Sequence, residues 1–217
     1  FEGGNLSHGM PALPGAIDSV RLPEGRVVIS TIGGAPPAGI CGSGVLEAIS
    51  EMLRAGILDS SGRIRTSGEI DSNLANRVVD KDGALAFVLY RDASRTIQLT
   101  QEDVRQAQLA KAAVRAGMEV LFHHAGITAD EVDRVILTGS FSAVISPDWL
   151  KRVGIFSENM VKNAVFMGEG VLAGAERALC EPRGFARVDE LARRIRVIPL
   201  SGTPTFEKSF LEHLNFP

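Results

Sequence analysis

Three short stretches of small residues carry the groups best suited to holding a ligand. In the first, the apolar run Val135-Ile136-Leu137 reaches Thr138 and then Gly139-Ser140-Phe141-Ser142. A glycine there lets a ligand come close to the main chain, and a small-residue turn between a strand and a helix aims N–H groups outward, as phosphate and nucleotide sites do. A tight connection with no ligand has the same composition. The second stretch, Gly168-Glu169-Gly170, repeats the arrangement after the short apolar run 164–167. Glu169 either touches a ligand or favours the start of the helix that follows. The third, Gly42-Ser43-Gly44, opens an amphipathic helix. Its N–H groups and the Ser43 hydroxyl either hold a phosphate, or Ser43 caps the helix while the glycines allow close packing.

Two polar residues on a long helix join this set. Thr100 caps a helix over 100–125, with Asp103 in a near-capping-box position and Gly126 as its stop. Val104, Ala107, Val114, Met118, Leu121 and Phe122 share one stripe, and Lys111 falls inside it, with Gln108 and Arg115 at its edge. The opposite face is also small or apolar, so the helix is sandwiched. Lys111 must then snorkel outward, pair with an acid or meet an anionic ligand. Cys41 reads as a small buried thiol and His8 as a loop histidine, since no partner for nucleophilic chemistry is spaced to help either.

The whole composition narrows the classes. A net charge of −3 with interspersed signs gives no basic patch for nucleic acid. No apolar run reaches the roughly 18 residues of a membrane span, and no signal peptide is visible. Two cysteines make neither a disulfide framework nor a metal cluster, which suits the cytoplasm. The chain of 217 residues starts at Phe1 without a methionine and reads as a fragment of a longer protein.

The positioning elements follow from periodicity and turn residues. Segments 17–22 and 26–32 flank Pro23-Glu24-Gly25 as a hairpin. Residues 59–83 are polar and turn-rich, and 84–90 with 96–99 form a second hairpin, so 59–99 is expected as a surface excursion. The runs 135–138 and 164–167 read as buried strands of a parallel sheet. A helix over 171–179, a charged helix over 189–194, a last strand at 195–200 and a closing helix over 203–214 complete the chain.

Taken together, the motifs resemble the C-terminal half of the reductive activators of corrinoid proteins, within the superfamily of acetate kinases, sugar kinases, heat-shock proteins and actin. The matching stretches are Phe1-Glu-Gly3 with His8-Gly-Met10 and Pro14-Gly-Ala-Ile17; Gly39-Ile-Cys-Gly-Ser-Gly44 with Arg54-Ala-Gly-Ile-Leu58; Thr100-Gln-Glu-Asp-Val104 with Gln108-Leu-Ala-Lys-Ala-Ala113; the stretch 135–142; and Ala173-Gly-Ala175. The resemblance implies an α/β fold, the C-terminal half of an actin- or ribonuclease-H-like ATPase, with a mixed sheet flanked by helices and inserted hairpins over 1–217. It implies that Thr138-Gly139-Ser140-Phe141-Ser142 corresponds to the adenosine motif, with Gly139, Ser140, Phe141 and Ser142 as its contacts, and that the turn Gly168-Glu169-Gly170 belongs to the second connecting motif. Lys111 or Gln108 would line the adenine or phosphate side, and Gly42, Ser43 and Gly44 would contribute main chain.

It further implies ATP with Mg²⁺ held jointly with an upstream half, and a two-iron two-sulfur cluster in an upstream ferredoxin domain. The partner would be the corrinoid protein of a methyltransferase system, returned from cobalt(II) to cobalt(I), and the activator would be a cytoplasmic homodimer. The fragment alone would be inactive. Where the family has Gly-Ala-Phe-Gly and then Asn-Tyr-(Ile/Leu)-Asp-Pro, this chain has Gly139-Ser-Phe-Ser-Ala-Val-Ile-Ser-Pro147, and the family's later Gly-Asn-Ala is Gly168-Glu169-Gly170. A degenerate dimerisation or docking domain, or a small-molecule kinase of the same superfamily, is the alternative.

Overall fold

Apolar and β-branched residues at Ala16–Arg21 (β1) and Val28–Thr31 (β2) pair antiparallel around a 3-10 turn at Pro23–Gly25, forming the expected hairpin. The computed structural model describes residues 4–81 and 83–217, so the Phe1-Glu-Gly3 part of the family motif lies outside the described residues. The short strand β3 (Gly39–Ile40) runs parallel to β1 and leads directly into helix α1 (Gly42–Arg54). Cys41 takes the N-cap position, not Ser43 as the sequence suggested, because the helix begins one residue after β3 ends. The Ser43 hydroxyl donates instead to the Asp18 carbonyl at 3.0 Å.

Helix α1 lies close against β1 because Gly44 has no side chain: a Cβ there would run into the Ile17 carbonyl oxygen. Only Ala16 and Ile17 of β1 pair with β3. Further along, two carboxylates one turn apart on α1 take over the strand's amides. Glu47 Oε2 accepts from Val20 N at 2.7 Å and Glu51 Oε2 from Leu22 N at 3.0 Å. Buried strand amides need such partners. Arg54 donates to Glu51 at 2.7 Å and, with the Leu22 amide, holds the Glu51 carboxyl below its ordinary value against the opposing effect of burial.

Strands β4 (Val78–Lys81), β5 (Ala84–Arg91) and β6 (Thr96–Thr100) form an antiparallel meander. The expected surface excursion at 59–99 is therefore corrected. Ile64, Ile70 and Leu74 reach inward from the polar segment, and Phe87, Leu89, Ile97 and Leu99 of the hairpin join the same core as Ile17, Ile49 and Met52. Average polarity concealed isolated apolar anchors, each of which stabilises by about 1.5 to 3 kcal/mol when buried. Helix α2 (Gln101–Ala125) starts with the full capping box between Thr100 and Asp103 and ends at Gly126 in the left-handed region, as its sequence indicated.

After α2, strand β7 (Val135–Leu137) pairs parallel with β8 (Ala164–Phe166), and the connection between them holds α3 (Pro147–Arg152) and α4 (Glu158–Lys162). The chain closes with α5 (Gly170–Cys180), α6 (Gly184–Arg194) and α7 (Pro204–Glu212). Two expectations fail here. β7 and β8 are not buried on both faces: Val135, Leu137 and Ala164 pack against the core, but Ile136 is 47 % and Phe166 50 % exposed. Residues 195–200 form no strand, and Val197 is 92 % exposed, because extended backbone without a neighbour has no ladder to join. Among the described residues the strands form three small sheets, β2-β1-β3, β4-β5-β6 and β7-β8, within the expected α/β arrangement. Among the described residues no helix is long and apolar enough to cross a membrane.

Gly44→Ala is expected to lower stability by about 3 kcal/mol, as overpacking against a fixed carbonyl does. Gly174→Ala, in α5 with open space around it, should instead raise stability by about 0.5 kcal/mol. Denaturant midpoints of the two variants check both signs.

Candidate functional site

The carboxyl ends of parallel strands are where α/β sheets place ligands, and β7 and β8 end side by side, with Leu137 opposite Phe166. Both ends run into glycine turns, and hydrogen bonds join those turns into one construction. Met167 N donates to Leu137 O at 2.8 Å and Gly139 N to Gly168 O at 2.9 Å. The Thr138 hydroxyl donates to Gly168 O at 3.0 Å and accepts from Gly170 N at 2.8 Å. Thr138 opens the adenosine stretch expected from the sequence, but its part in joining the two turns was not foreseen. Its signal is a hydroxyl on the residue between the end of β7 and the turn glycine, where it can reach across to the neighbouring turn.

Gly139 has φ +92 and ψ 166, a conformation held almost solely by glycine. No heavy atom lies within 4 Å of the position a Cβ would take on Gly139 or on Gly168, so both turns keep an open flank. Phe141, on the 3-10 turn Ser140–Ala143, is 41 % exposed. Ser142 is buried, and its hydroxyl donates to Gly139 O at 2.6 Å, which closes the turn from inside. The side chain of Ser140 lies outside the described residues. Glu169 is exposed at the N-cap position of α5 and makes no side-chain cap. The first amide of α5, at Gly170, is already taken by Thr138. That amide is therefore not offered to an anion, while the open glycine main chain can receive a flat, uncharged group.

The structure thus brings Gly139, Phe141 and Ser142 together with Gly168 and Glu169. Gly42, Ser43 and Gly44 are buried where α1 meets β1, their small size used for packing. Gln108 and Lys111 are also spent elsewhere. Gln108 Nε2 donates to Ser61 O at 3.0 Å and Leu214 O at 2.9 Å, while its Oε1 accepts from Arg105 at 2.7 Å. Lys111 neither snorkels nor pairs with an acid. It is 2 % exposed, donates to the Asn215 carbonyl and lies 5.1 Å from the centre of the Phe216 ring. Cys41 is the buried thiol its sequence suggested, with Sγ 3.4 Å from Ile17 O.

A parallel strand pair ending in joined glycine turns and flanked by helices fits the actin-like fold expected from the resemblance. The fold superposes with a TM-score of 0.84 on a solved structure described as "Reductive activator for corrinoid,iron-sulfur protein", at 31 % identity over the whole of this chain and 35 % of that one. The chain belongs to the family described as the C-terminal domain of RACo, the ASKHA domain, whose model matches residues 1–217. Among curated relatives it is 28 % identical to the corrinoid activation enzyme RamQ of Eubacterium limosum, covering all of this chain and 37 % of that protein. It is 24 % identical to the [Co(II) methylated amine-specific corrinoid protein] reductase of Methanosarcina barkeri, covering all of this chain and 40 % of that protein. The chain therefore spans well under half the length of these relatives.

Two outcomes check the geometry. Thr138→Val keeps the shape but removes both hydroxyl bonds, and should cost about 1 to 2 kcal/mol of stability, measured by denaturant unfolding. Burial pushes the Lys111 ammonium down to about 8. An unfolded lysine titrates near 10.4, so between about pH 8 and 10.4 the unfolded chain holds the extra proton and stability rises with pH. Unfolding at pH 7.5 and 10 should show a gain of about 2 to 3 kcal/mol in the parent that Lys111→Met lacks.

Proposed function

We propose that this domain is the adenosine-side lobe of an ATP-dependent reductive activator, whose full-length form returns a cobalt(II) corrinoid protein to cobalt(I) for methyl transfer. The family membership and the relatives' activities support the reading. The observation that carries it is the joined pair of turns with open flanks at Gly139 and Gly168, held by Thr138. Main chain at Gly139 and Gly168, with the exposed ring of Phe141 beside them, would receive the nucleoside. Ser142 keeps the turn closed, and Glu169 stands at its rim. ATP, when bound, supplies the free energy that an uphill electron transfer needs.

The other cofactors belong outside this chain in the same reading. Among the described residues no group of three or more His, Cys, Asp or Glu could hold a metal ion. Cys41 and Cys180 are too few for the four ligands of a two-iron two-sulfur cluster. Mg²⁺ and the cluster are accordingly assigned to other parts of the protein, which we take to be a cytoplasmic homodimer. One observation favours a docking domain without ATP turnover: the hydroxyls of Thr138 and Ser142 are both committed inside the turns.

Calorimetry on the full-length protein separates the two. The activator reading expects ATP to bind and Gly139→Val to weaken it at least about tenfold, through strain in the turn and loss of its open flank. Equal affinities would remove the turn from the site. The 217-residue chain by itself should bind ATP weakly or not at all.

A further inference from the structure

Three polar side chains along α2, Gln108, Lys111 and Arg115, each end on main-chain carbonyls that come from other parts of the chain. Gln108 takes Leu214 and Ser61, Lys111 takes Asn215, and Arg115 takes Ile155 at 3.1 Å. The segment 214–217 is also fixed by Phe216 N donating to Ser60 O at 2.8 Å and by the Phe216 ring, which is buried in the core. Its last residue meets the turn behind α3: a Cβ on Gly154 would stand 3.1 Å from Pro217 Cδ and 3.3 Å from Lys111 Nζ. A side chain at Gly154 would thus crowd both the segment and the ammonium that holds it, and the glycine's φ of +85 is itself unfavourable for other residues.

From Gly154 the path to the site runs back along α3. The turn folds back on α3 through Ile155 N to Leu150 O at 2.8 Å and Phe156 N to Leu150 O at 3.1 Å. Leu150, Val153, Ile155 and Phe156 are all buried. Helix α3 is about 9 Å long at 1.5 Å per residue, and residues 144–146 join its other end to the 3-10 turn Ser140–Ala143 that follows Gly139. A shift at Gly154 is therefore passed along a packed helix to the glycine turn, since close-packed elements move as units.

We infer that segment 214–217 is a strap that positions the Gly139 turn, and that Lys111, with Gln108, is the positioning residue that holds the strap in place. The nucleotide part of this inference rests on the activator reading. Neither side chain touches the ligand; each acts through the strap and α3. By reciprocity of coupled equilibria, nucleotide at the turn should in return steady the strap.

Amide hydrogen exchange and ATP calorimetry on the full-length protein test this. Lys111→Met should speed exchange about threefold or more both at 214–217 and at 139–146, leave β5 (Ala84–Arg91) unchanged, and weaken ATP about tenfold. ATP should slow exchange at 214–217 in the parent. Faster exchange at 214–217 alone, with 139–146 and ATP affinity unaltered, would overturn the inference, as would a uniform rise that includes β5. Should Lys111→Met not fold, Gln108→Glu is read by the same criteria. It keeps the bond from Arg105 but sets an acceptor against the Ser61 and Leu214 carbonyls. Should the parent bind no ATP, the activator reading fails, and exchange at 139–146 in the variants still decides the strap.

Discussion

A lone ammonium deep in the domain is the constraint around which its second half is arranged. Transferring an unpaired cation from water costs several kcal/mol even after relaxation. Lys111 is kept there by a carbonyl from Asn215 and the face of Phe216, two groups that replace water without supplying a full negative charge. Both belong to one short segment, so α2 and the end of the chain depend on each other. The same helix contributes Val104, Ala107, Ala112 and Ala116 to the interior, and this apolar lining removes the water that would otherwise solvate the amine.

The site follows a different logic, in which few side chains are offered and the main chain does the shaping. One hydroxyl, on Thr138, couples two turns that lie some thirty residues apart in sequence. Glycine at 139 supplies a conformation that other residues reach only under strain, and glycine at 168 leaves its neighbourhood open. Such a surface suits a planar group held by contact and shape. Of the amides at the start of α5, the first, at Gly170, is already taken by Thr138.

Elements with strong local signals were legible in the sequence. The capping box at Thr100 and Asp103, the stop at Gly126 and the reversal at Pro23-Glu24-Gly25 are decided by neighbours within a few residues, and each stands where it was read. The family resemblance likewise gave the fold, because many motifs agree in order over the whole chain. What was not legible depends on tertiary partners. Periodicity showed Lys111 inside an apolar stripe, but nothing local could say that the end of the chain would come back to meet it. Ile64, Ile70 and Leu74 sit in polar surroundings, so composition could not mark them as core. The runs at 135–138 and 164–167 were read as covered on both faces because apolar strands usually are, whereas coverage is decided by whatever packs on the sheet. At 195–200 the residues favour extended backbone and no strand is adjacent to pair with it.

The carboxylates of Glu47 and Glu51 have a consequence beyond satisfying two amides. An unpaired strand edge is a template for addition of another strand, in augmentation by a partner or in uncontrolled association. On β1 that template is filled by side chains of the domain's own helix, so β2-β1-β3 cannot be lengthened there without first displacing α1. Among the described residues β7 and β8 pair only with each other. The helix that opens with the third glycine stretch thus also closes the free side of β1 to any added strand, while the outer side of β2 has no pairing strand among the described residues.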